Sequence, residues 1–186
     1  MGFAIANEAR QRGAKVTLIS GPVNLPTPEG VHQTDVVTAQ EMFETCKKHF
    51  SQNDVFIATA AIGDYRPQKI HPQKIKKSSK ELNIKLLPNE DILLNLGRKK
   101  KRRQIVVGFA AETKDWVKNA KKKIAQKNLD LIIANDVSGK KTGFESDFNQ
   151  VILIDKEGNT QKFPKMSKSE VARKILDRIE IFFQQK

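Results

Sequence analysis

The sequence is short of several features on which common classes of protein depend. It has a single cysteine, Cys46, so no disulfide can form within the chain, and a lone thiol fits a reducing cytoplasm. No run of about 18 apolar residues is present, which argues against a membrane-spanning helix. The first residues, MGFAIANEARQRG, acquire Glu8 and Arg10 too early for a signal peptide. These absences favour a globular protein of the cytoplasm.

The sequence also lacks the short motifs of several large enzyme classes. It contains neither G-x-x-x-x-G-K-[ST] nor G-x-G-x-x-G, so a P-loop and a standard dinucleotide-binding turn are unsupported. No G-x-S-x-G nucleophile elbow occurs. The histidines, His32, His49 and His71, lie far apart without cysteine or acidic residues at ligand spacing, so a zinc site is not expected.

Basic residues, by contrast, are in large excess. The 34 Lys and Arg residues against 21 Asp and Glu give a formal net charge of +13. This charge favours anionic partners, which include nucleic acid, membrane surfaces and phosphorylated metabolites. The densest run, Arg98 to Arg103, joins a predicted helix to a predicted strand. We interpret it as a solvated turn, with nucleic-acid contact as the alternative.

Apolar periodicity alternates between helical and strand-like spacing along the chain. Helices are predicted at residues 3–12, 38–50, 89–96 and 113–127, and from Ser167 onward. Strands are predicted at residues 15–20, 31–37, 54–61, 104–110 and 129–134, and in a hairpin that joins 150–155 to 160–163. The alternation predicts one α/β domain over residues 1–186, with a doubly wound, mostly parallel, Rossmann-like sheet.

A β arm or hairpin is expected to project from this sheet, because residues 81–87 alternate in polarity and can pair with Lys74 to Lys77. The arm follows a buried strand directly. Doubly wound sheets bind ligands at the carboxyl ends of their strands. The segments that follow strand ends are therefore the candidates for chemistry.

Two strand ends carry small residues that allow close approach of a ligand. In ATAAIGDY, residues 58–65, a base or phosphate could contact the backbone, and Asp64 follows the strand tip. In VVGFAAET, residues 106–113, Gly108 allows close approach and Phe109 offers a face for stacking. The plainer alternatives are a turn-forming Asp64 and a core-packing Phe109.

Lysines are placed to meet phosphate groups. Residues 69–80, KIHPQKIKKSSK, form a loop whose flexible ammonium groups can neutralise a triphosphate, and Lys74 is the best placed of them. Lys123 and Lys127 are four residues apart and share a helical face. A solvated basic loop, and compensation of a helix dipole by the second pair, are the alternatives.

Six blocks of the chain closely resemble bacterial phosphopantothenoylcysteine synthetase, in the same order and at similar spacing. They are MGFAIA, VTLISGPVNLPTP, ATAAIGDYRP, the KIKK of residues 74–77, the GFAAET of 108–113 and the KNLDLIIANDV of 127–137. The resemblance covers nearly the whole chain. In many bacteria this enzyme is the C-terminal half of a bifunctional protein whose N-terminal half is a flavin-dependent decarboxylase. FMN, and the decarboxylase as a partner, are implied only if that domain precedes this one.

The resemblance implies a ligase of coenzyme A biosynthesis that acts as a homodimer. CTP with Mg²⁺ would activate the carboxylate of 4′-phosphopantothenate as an acyl-cytidylate and release pyrophosphate. The amine of L-cysteine would then attack the acyl carbon and expel CMP, a far better leaving group than carboxylate oxygen. Two other hypotheses stay open: an inactive nucleotide-binding relative, and a basic nucleic-acid-binding module that uses Arg98 to Arg103 and the arm.

Position by position, the resemblance implies a set of nucleotide contacts. These are Ala58, Thr59, Ala60, Asp64, Lys74, Asn89, Glu90, Asp91, Ile92, Phe109, Lys123 and Lys127. Glu90 stands where the family usually has proline. Lys74 matches a mobile-loop lysine implicated in the chemistry, and we expect it to act as the catalytic residue. The resemblance identifies no metal ligands.

One part of the family pattern has no counterpart in residues 1–186. The family carries, just before the Met-Gly that opens this sequence, a strand and an Asn/Ser/Gly-rich turn that bind substrate and phosphate. A catalytic asparagine lies in that turn. We therefore expect a synthetase domain truncated at its N-terminal end, which is either a fragment completed from upstream or an inactive gene product.

Replacing Lys74 by Gln tests the role of this residue. If its ammonium group stabilises charge on the phosphate and the acyl intermediate, the variant should lose about a hundredfold in turnover, while its affinity for CTP changes little. Steady-state kinetics combined with a separate CTP-binding measurement distinguish the two quantities. An unimpaired rate would contradict the assignment.

Overall fold

The computed structural model describes residues 1–77, 81–112, 116–136 and 147–185. Thr113, which was expected to open a helix, lies outside these ranges. The helices are α1 (Gly2–Gln11), α2 (Ala39–Phe50), α3 (Ile92–Gly97), α4 (Trp116–Lys127) and α5 (Lys168–Gln184). No helix in the described ranges combines the length and apolarity needed to cross a membrane.

Eleven strands are found in the described part of the chain. The first six are β1 (Thr17–Ser20), β2 (His32–Asp35), β3 (Val55–Ala58), β4 (Tyr65–Pro67), β5 (Leu86–Pro88) and β6 (Ile105–Glu112). The others are β7 (Leu131–Asp136), β8 (Phe148–Asn149), β9 (Val151–Asp155), β10 (Thr160–Lys162) and β11 (Met166–Ser167). The short pair of β8 and β11 was not predicted from the sequence.

The central sheet has the strand order β10-β9-β7-β6-β3. Strands β3, β6 and β7 run parallel, and the hairpin of β9 and β10 adds two antiparallel strands at one side. Side chains of β6 alternate between two cores: Val106 packs toward α2, α3 and α4, and Val107 packs toward α1 and α5. Burial on both faces explains the continuous apolar runs of the central strands. The predicted mostly parallel, doubly wound α/β fold is confirmed.

Two helices begin where the sequence predicted them, because each has a complete capping box. The Thr38 hydroxyl accepts a hydrogen bond from the Glu41 amide at 3.1 Å, and the Glu41 carboxylate accepts from the Thr38 amide at 3.0 Å. Ser167 and Glu170 repeat this arrangement at the start of α5. Each pair satisfies amide donors that the first turn of a helix leaves free.

The sheet is interrupted between β1 and β3. Strands β1 and β2 form a separate parallel pair, with Thr17 opposite His32 and Ser20 opposite Asp35. Helix α2 packs against β1 and also enters the core behind β3, and α1 packs against β1 as well. Among the described strands, β1 pairs only with β2 and β3 only with β6. Both strands therefore keep one edge without a hydrogen-bonded neighbour.

The arm differs from its prediction. Residues 74–77 form no strand, and β5 pairs instead with β4, which places Tyr65 opposite Pro88 and Pro67 opposite Leu86. The expected pairing with Lys74 to Lys77 was therefore wrong. Lysines 74, 76 and 77 opposite a segment that contains Lys85 would have brought like charges together, which destabilises a strand pair. Pairing at the base of the arm avoids that repulsion.

The amino-terminal edge of the sheet, opposite the strand tips, is held together by buried carboxylates. Asp130 accepts a hydrogen bond from the Lys100 ammonium at 3.0 Å, and Asp155 pairs with Arg178. Burial alone would raise the pKa of Asp155, but hydrogen bonds from Asn159 and Arg178 outweigh it and hold the pKa below its usual value. Lys101 donates to the Ser51 carbonyl at 2.9 Å. Part of the basic run is thus structural.

Gly97 offers a sharp test of helix packing at this edge. A Cβ added there would lie 1.9 Å from the Lys127 carbonyl oxygen, because α3 and the end of α4 approach each other through the glycine. Gly97→Ala should therefore lower the free energy of unfolding by about 1–3 kcal/mol, measured by urea denaturation. Gly21→Ala, whose added Cβ meets nothing within 4 Å, is the matched control. Equal stability of the two variants would contradict the observed approach.

Candidate functional site

The carboxyl end of β3 lies beside the middle of β6, with Ala58 opposite Gly108, and β6 continues to Glu112. Beyond Ala58 the chain crosses this edge without regular structure as far as Asp64. A Cβ added to Gly2 would lie 2.8 Å from the Thr59 hydroxyl, so the start of α1 abuts the same edge. The small side chains Ala60 and Ala61 are exposed there. The backbone of this segment is therefore accessible to a flat or anionic ligand.

Gly108 and Phe109 serve the core more than the sequence suggested. A Cβ on Gly108 would lie 3.0 Å from Leu129 and 3.1 Å from Leu93, so the glycine makes room for apolar side chains rather than for a ligand. Phe109 is half-buried and packs against the core that includes α1 and α5. Its ring lies on the opposite face of the sheet from α4, which carries Lys123 and Lys127.

A hydrogen-bond network joins the tip after β3 to the turn before α3. The Asn89 amide donates to the Asp64 carbonyl at 2.8 Å, and the Asn89 side-chain Nδ2 donates to the Gly63 carbonyl at 2.8 Å. Arg66 Nη1 donates to the Asn89 Oδ1 at 3.1 Å and to the Pro88 carbonyl at 2.7 Å. The two turns are thereby held at a fixed separation.

The same turn is anchored to α3 and α4 at its other end. Asp91 Oδ1 accepts the Leu94 amide at 2.9 Å and caps α3, while its Oδ2 lies 2.8 Å from the Lys127 ammonium. Glu90 accepts a hydrogen bond from the Asn95 side chain at 3.2 Å, and Ile92 is buried. The polar side chains of this turn are thus engaged within the protein.

The structure brings together some of the predicted residues and leaves others apart. Asp64, Asn89, Asp91 and Lys127 are linked by the contacts above, and the carboxylate of Asp64 is exposed without a partner among the described residues. Lys123, one turn earlier in α4, is half-buried. Lys74 lies in the arm, in an open hollow of about 410 Å³ lined with His71, Ile75 and Leu82.

A second hollow, of about 340 Å³, is unrelated to the strand tips. Lys121, Asn128, Asp155 and Gly158 line it at the amino-terminal edge of the sheet. No group of three or more His, Cys, Asp or Glu side chains with metal-binding geometry occurs in the described part of the chain. A divalent ion at the strand tips would therefore need most of its ligands from phosphates and water.

Two polar residues near the strand tips are absent from the nucleotide contacts that the resemblance implies, although the place of Asn135 at a strand end makes it a candidate to face the same crevice. Asn135 is the last residue but one of β7 and lies opposite Ala111 and Val151; its buried Oδ1 has no hydrogen-bond partner among the described residues. A buried acceptor left without a donor costs about 1–3 kcal/mol. Arg66 is the other residue; it lies within the ATAAIGDYRP block of the resemblance, which implied no role for it.

Comparison with known proteins identifies the family of this chain. The family described as DNA/pantothenate metabolism flavoprotein C-terminal domain matches residues 1–182. The chain belongs to this family. It is 46% identical over 179 residues to the coenzyme A biosynthesis bifunctional protein CoaBC of Haemophilus influenzae, covering 96% of this chain and 44% of that protein. The CoaBC of Escherichia coli K12 is 44% identical over 189 residues, covering 100% and 46%. The chain thus spans about half the length of these relatives.

Several solved structures share the fold of this chain. The C-terminal domain of a CoaBC protein superposes with a TM-score of 0.83 at 38% identity and covers 100% of this chain and 84% of that one. The Streptococcus pneumoniae DNA/pantothenate metabolism flavoprotein gives 0.78 at 20% identity, covering 97% and 86%. A Cab2 H337A variant solved with phosphopantothenate-cysteine gives 0.63 at 16% identity, covering 84% and 55%. The last two likenesses show the fold alone.

Cys46 is a structural thiol in this fold. It is buried in α2, and burial raises its pKa to about 11. Because the thiolate is the reactive form, iodoacetamide at pH 8 should alkylate Cys46 at least about a hundredfold more slowly in the folded protein than in urea. Mass spectrometry of timed samples measures both rates. Fast labelling of the folded protein would contradict the buried environment.

Proposed function

We propose that the chain supplies the synthetase activity of a CoaBC-type protein, ligating 4′-phosphopantothenate with L-cysteine at the expense of CTP. The observation that carries this proposal is the sequence identity of 46% and 44% that the chain shares, over nearly its whole length, with the C-terminal part of the two bifunctional relatives. The phosphopantothenate-cysteine held by the Cab2 variant, which shares the fold, is the product expected of such a reaction.

The chemistry needs two successive displacements. The carboxylate of phosphopantothenate attacks the α-phosphorus of CTP and pyrophosphate leaves. The cysteine amine then attacks the acyl carbon, an amide bond forms, and CMP leaves with the electrons of the broken acyl–oxygen bond. Every species in the first step is anionic, so the protein must supply cations and exclude competing water.

In this proposal the nucleotide binds at the carboxyl ends of the strands. Ala58, Thr59 and Ala60 leave the backbone open to the base or ribose, Phe109 lies in β6 just beyond the residue that pairs with Ala58, and Asp64 contacts the bound nucleotide. The turn of residues 89–92 faces the same tip through its hydrogen bonds to Gly63 and Asp64.

Lysines on the other elements neutralise the phosphates. Lys123 and Lys127 approach from α4, and a phosphate oxygen would compete with Asp91 for the Lys127 ammonium, which lies 2.8 Å from that carboxylate. Lys74 is exposed in the arm and has no partner among the described residues, so it is available to the acyl phosphate when the arm closes. Lysine suits this role because its ammonium is a mobile point charge.

Magnesium fits the site only as a companion of the triphosphate. Bound Mg²⁺ would offset part of the phosphate charge and polarise the phosphorus under attack. Asp64 is the carboxylate at the strand tip that lacks a partner in the described structure, and Asp91 is occupied by Lys127. Asp64 would therefore hold the ion directly or through water.

We further propose that an additional parallel strand fills the interruption between β1 and β3. Both strands present an unpaired edge there, and exposed edges of this kind are normally paired or covered. A strand in this gap would end at the carboxyl edge, next to Thr59 and the start of α1. The turn that follows it would bring the family's catalytic asparagine and phosphate-binding amides to the crevice, so residues 1–186 alone would lack part of the active site.

The arm supports a homodimer, which we propose as the working form. Its large apolar side chains are exposed, with Ile70 at 87% and Ile75 at 51% of full accessibility. Tyr65, Leu82, Ile84 and Leu86 are exposed on the same arm. Apolar groups gathered on one projecting segment usually mark a contact with another protein surface. We also propose a cytoplasmic location, where the relatives' coenzyme A pathway would supply the substrates.

Pyrophosphate release from CTP tests the proposed reaction. A chain extended to include the additional strand should release pyrophosphate when 4′-phosphopantothenate is added, and should form phosphopantothenoylcysteine only when cysteine is present too. Residues 1–186 alone should be slower by about a hundredfold or more, because a missing charge-stabilising group costs that much. Release independent of phosphopantothenate, or none from the extended chain, would contradict the proposal.

A further inference from the structure

We propose that Arg66 is a positioning residue for the nucleotide, acting through Asn89 to fix the spacing between the strand tip at Gly63 and Asp64 and the turn of residues 89–92. The inference rests on the proposed function, because it assigns those two turns to nucleotide binding. Arg66 itself belongs to neither turn. It lies in β4 at the base of the arm, opposite Leu87 of β5.

The guanidinium contacts reach beyond the strand pair. One nitrogen, Nη1, donates to the Pro88 carbonyl at 2.7 Å and to the Asn89 Oδ1 at 3.1 Å. Hydrogen bonds from a charged donor are shorter and stronger than neutral ones. Because both acceptors belong to adjacent residues, the arginine fixes the direction in which the chain leaves β5.

The contact with Arg66 also determines which way the side-chain amide group of Asn89 faces. A guanidinium carries only donors, so the oxygen of the Asn89 side chain must face Arg66. Its Nδ2 is then directed to the Gly63 carbonyl at 2.8 Å. With both ends of the amide engaged, Asn89 braces the strand tip rather than reaching out to a ligand, and its backbone amide adds a bond to the Asp64 carbonyl at 2.8 Å.

The turn consequently has two anchors. Asp91 ties one end to Lys127 and to the first turn of α3, and Arg66 ties the other end to the arm. Loss of the second anchor would let residues 88–90 move relative to Asp64 while leaving α3 capped. Small displacements of this kind weaken binding even where the contacting groups are unchanged.

A purely structural arginine would behave differently from a positioning one. It would stabilise the arm, and its loss would lower the melting temperature without a selective effect on the nucleotide. Lys85 provides the matched control, because it is an exposed cation on the same arm whose side chain has no hydrogen bond or ion pair in the described structure.

The test compares Arg66→Ala, Arg66→Lys, Asn89→Ala, the double alanine variant and Lys85→Ala, each in the form of the protein that releases pyrophosphate. We expect each single alanine variant to raise the KM for CTP roughly tenfold, with kcat within about twofold, as for loss of one charge-assisted hydrogen bond. The KM for CTP of the double variant should be no higher than that of the more impaired single variant, because both changes break one hydrogen-bond network. Arg66→Lys should recover part of the loss, and Lys85→Ala should match the unmutated protein.

Hydrogen exchange supplies a readout without ligand. The backbone N–H of Asn89, which donates to the Asp64 carbonyl, should exchange its hydrogen faster in Arg66→Ala than in Lys85→Ala. An unchanged KM for CTP in Arg66→Ala, or losses that multiply in the double variant, would overturn the positioning role while leaving the proposed function intact. If no form of the protein releases pyrophosphate, the proposed function fails, and the role of Arg66 falls with it.

Discussion

Parallel hydrogen bonding among β3, β6 and β7 is the constraint on which the rest of the structure depends. Because the three strands run in one direction, the chain leaves all of them at the same edge. Apolar cores cover both faces of the sheet, with α1 and α5 on one and α2, α3 and α4 on the other, so a ligand cannot reach the strands through either face. The segments that follow β3, β6 and β7 therefore begin at one edge of the sheet, where we propose that the nucleotide binds.

The basic residues that give the chain its large positive charge fall into two groups. At the amino-terminal edge Lys100 and Arg178 neutralise the buried carboxylates Asp130 and Asp155, and Lys101 bonds to a carbonyl of the neighbouring segment. Those cations hold the fold together and are remote from the strand tips. Lys74 lies in the arm, and the Lys127 ammonium reaches from the end of α4 to Asp91 in the turn before α3; we propose these lysines, with Lys123, for the phosphates of the nucleotide. Net charge alone could not have separated these groups, because only the fold assigns each one to an edge.

Local signals in the sequence were reliable where one physical effect dominated. Capping boxes placed the starts of α2 and α5, and buried apolar runs identified β6 and β7, because each depends on neighbouring residues or on burial alone. Pairing of the arm was mispredicted, since alternation within residues 81–87 does not reveal which strand lies opposite.

The same limit applied to the candidate site. The sequence predicted which segments follow the strands, but not which contacts their side chains make. Gly108 makes room for leucines, and the amide of Asn89 is engaged by Arg66 and Gly63 rather than left open for a ligand. These roles depend on contacts between residues about 15 or more positions apart, which no short motif records. The unpaired edges of β1 and β3 likewise became visible only once the strand order was known.

The measurement that tests the central claim most directly is a nuclear magnetic resonance titration of the isotope-labelled protein with CTP, in a form that fills the gap beside β3. The account predicts saturable shifts of backbone amides at residues 58–66, 89–92 and 108–110, with residues 155–158 at the opposite edge unmoved. Shifts concentrated at the amino-terminal edge, or on the basic run from Arg98 to Arg103, would contradict it.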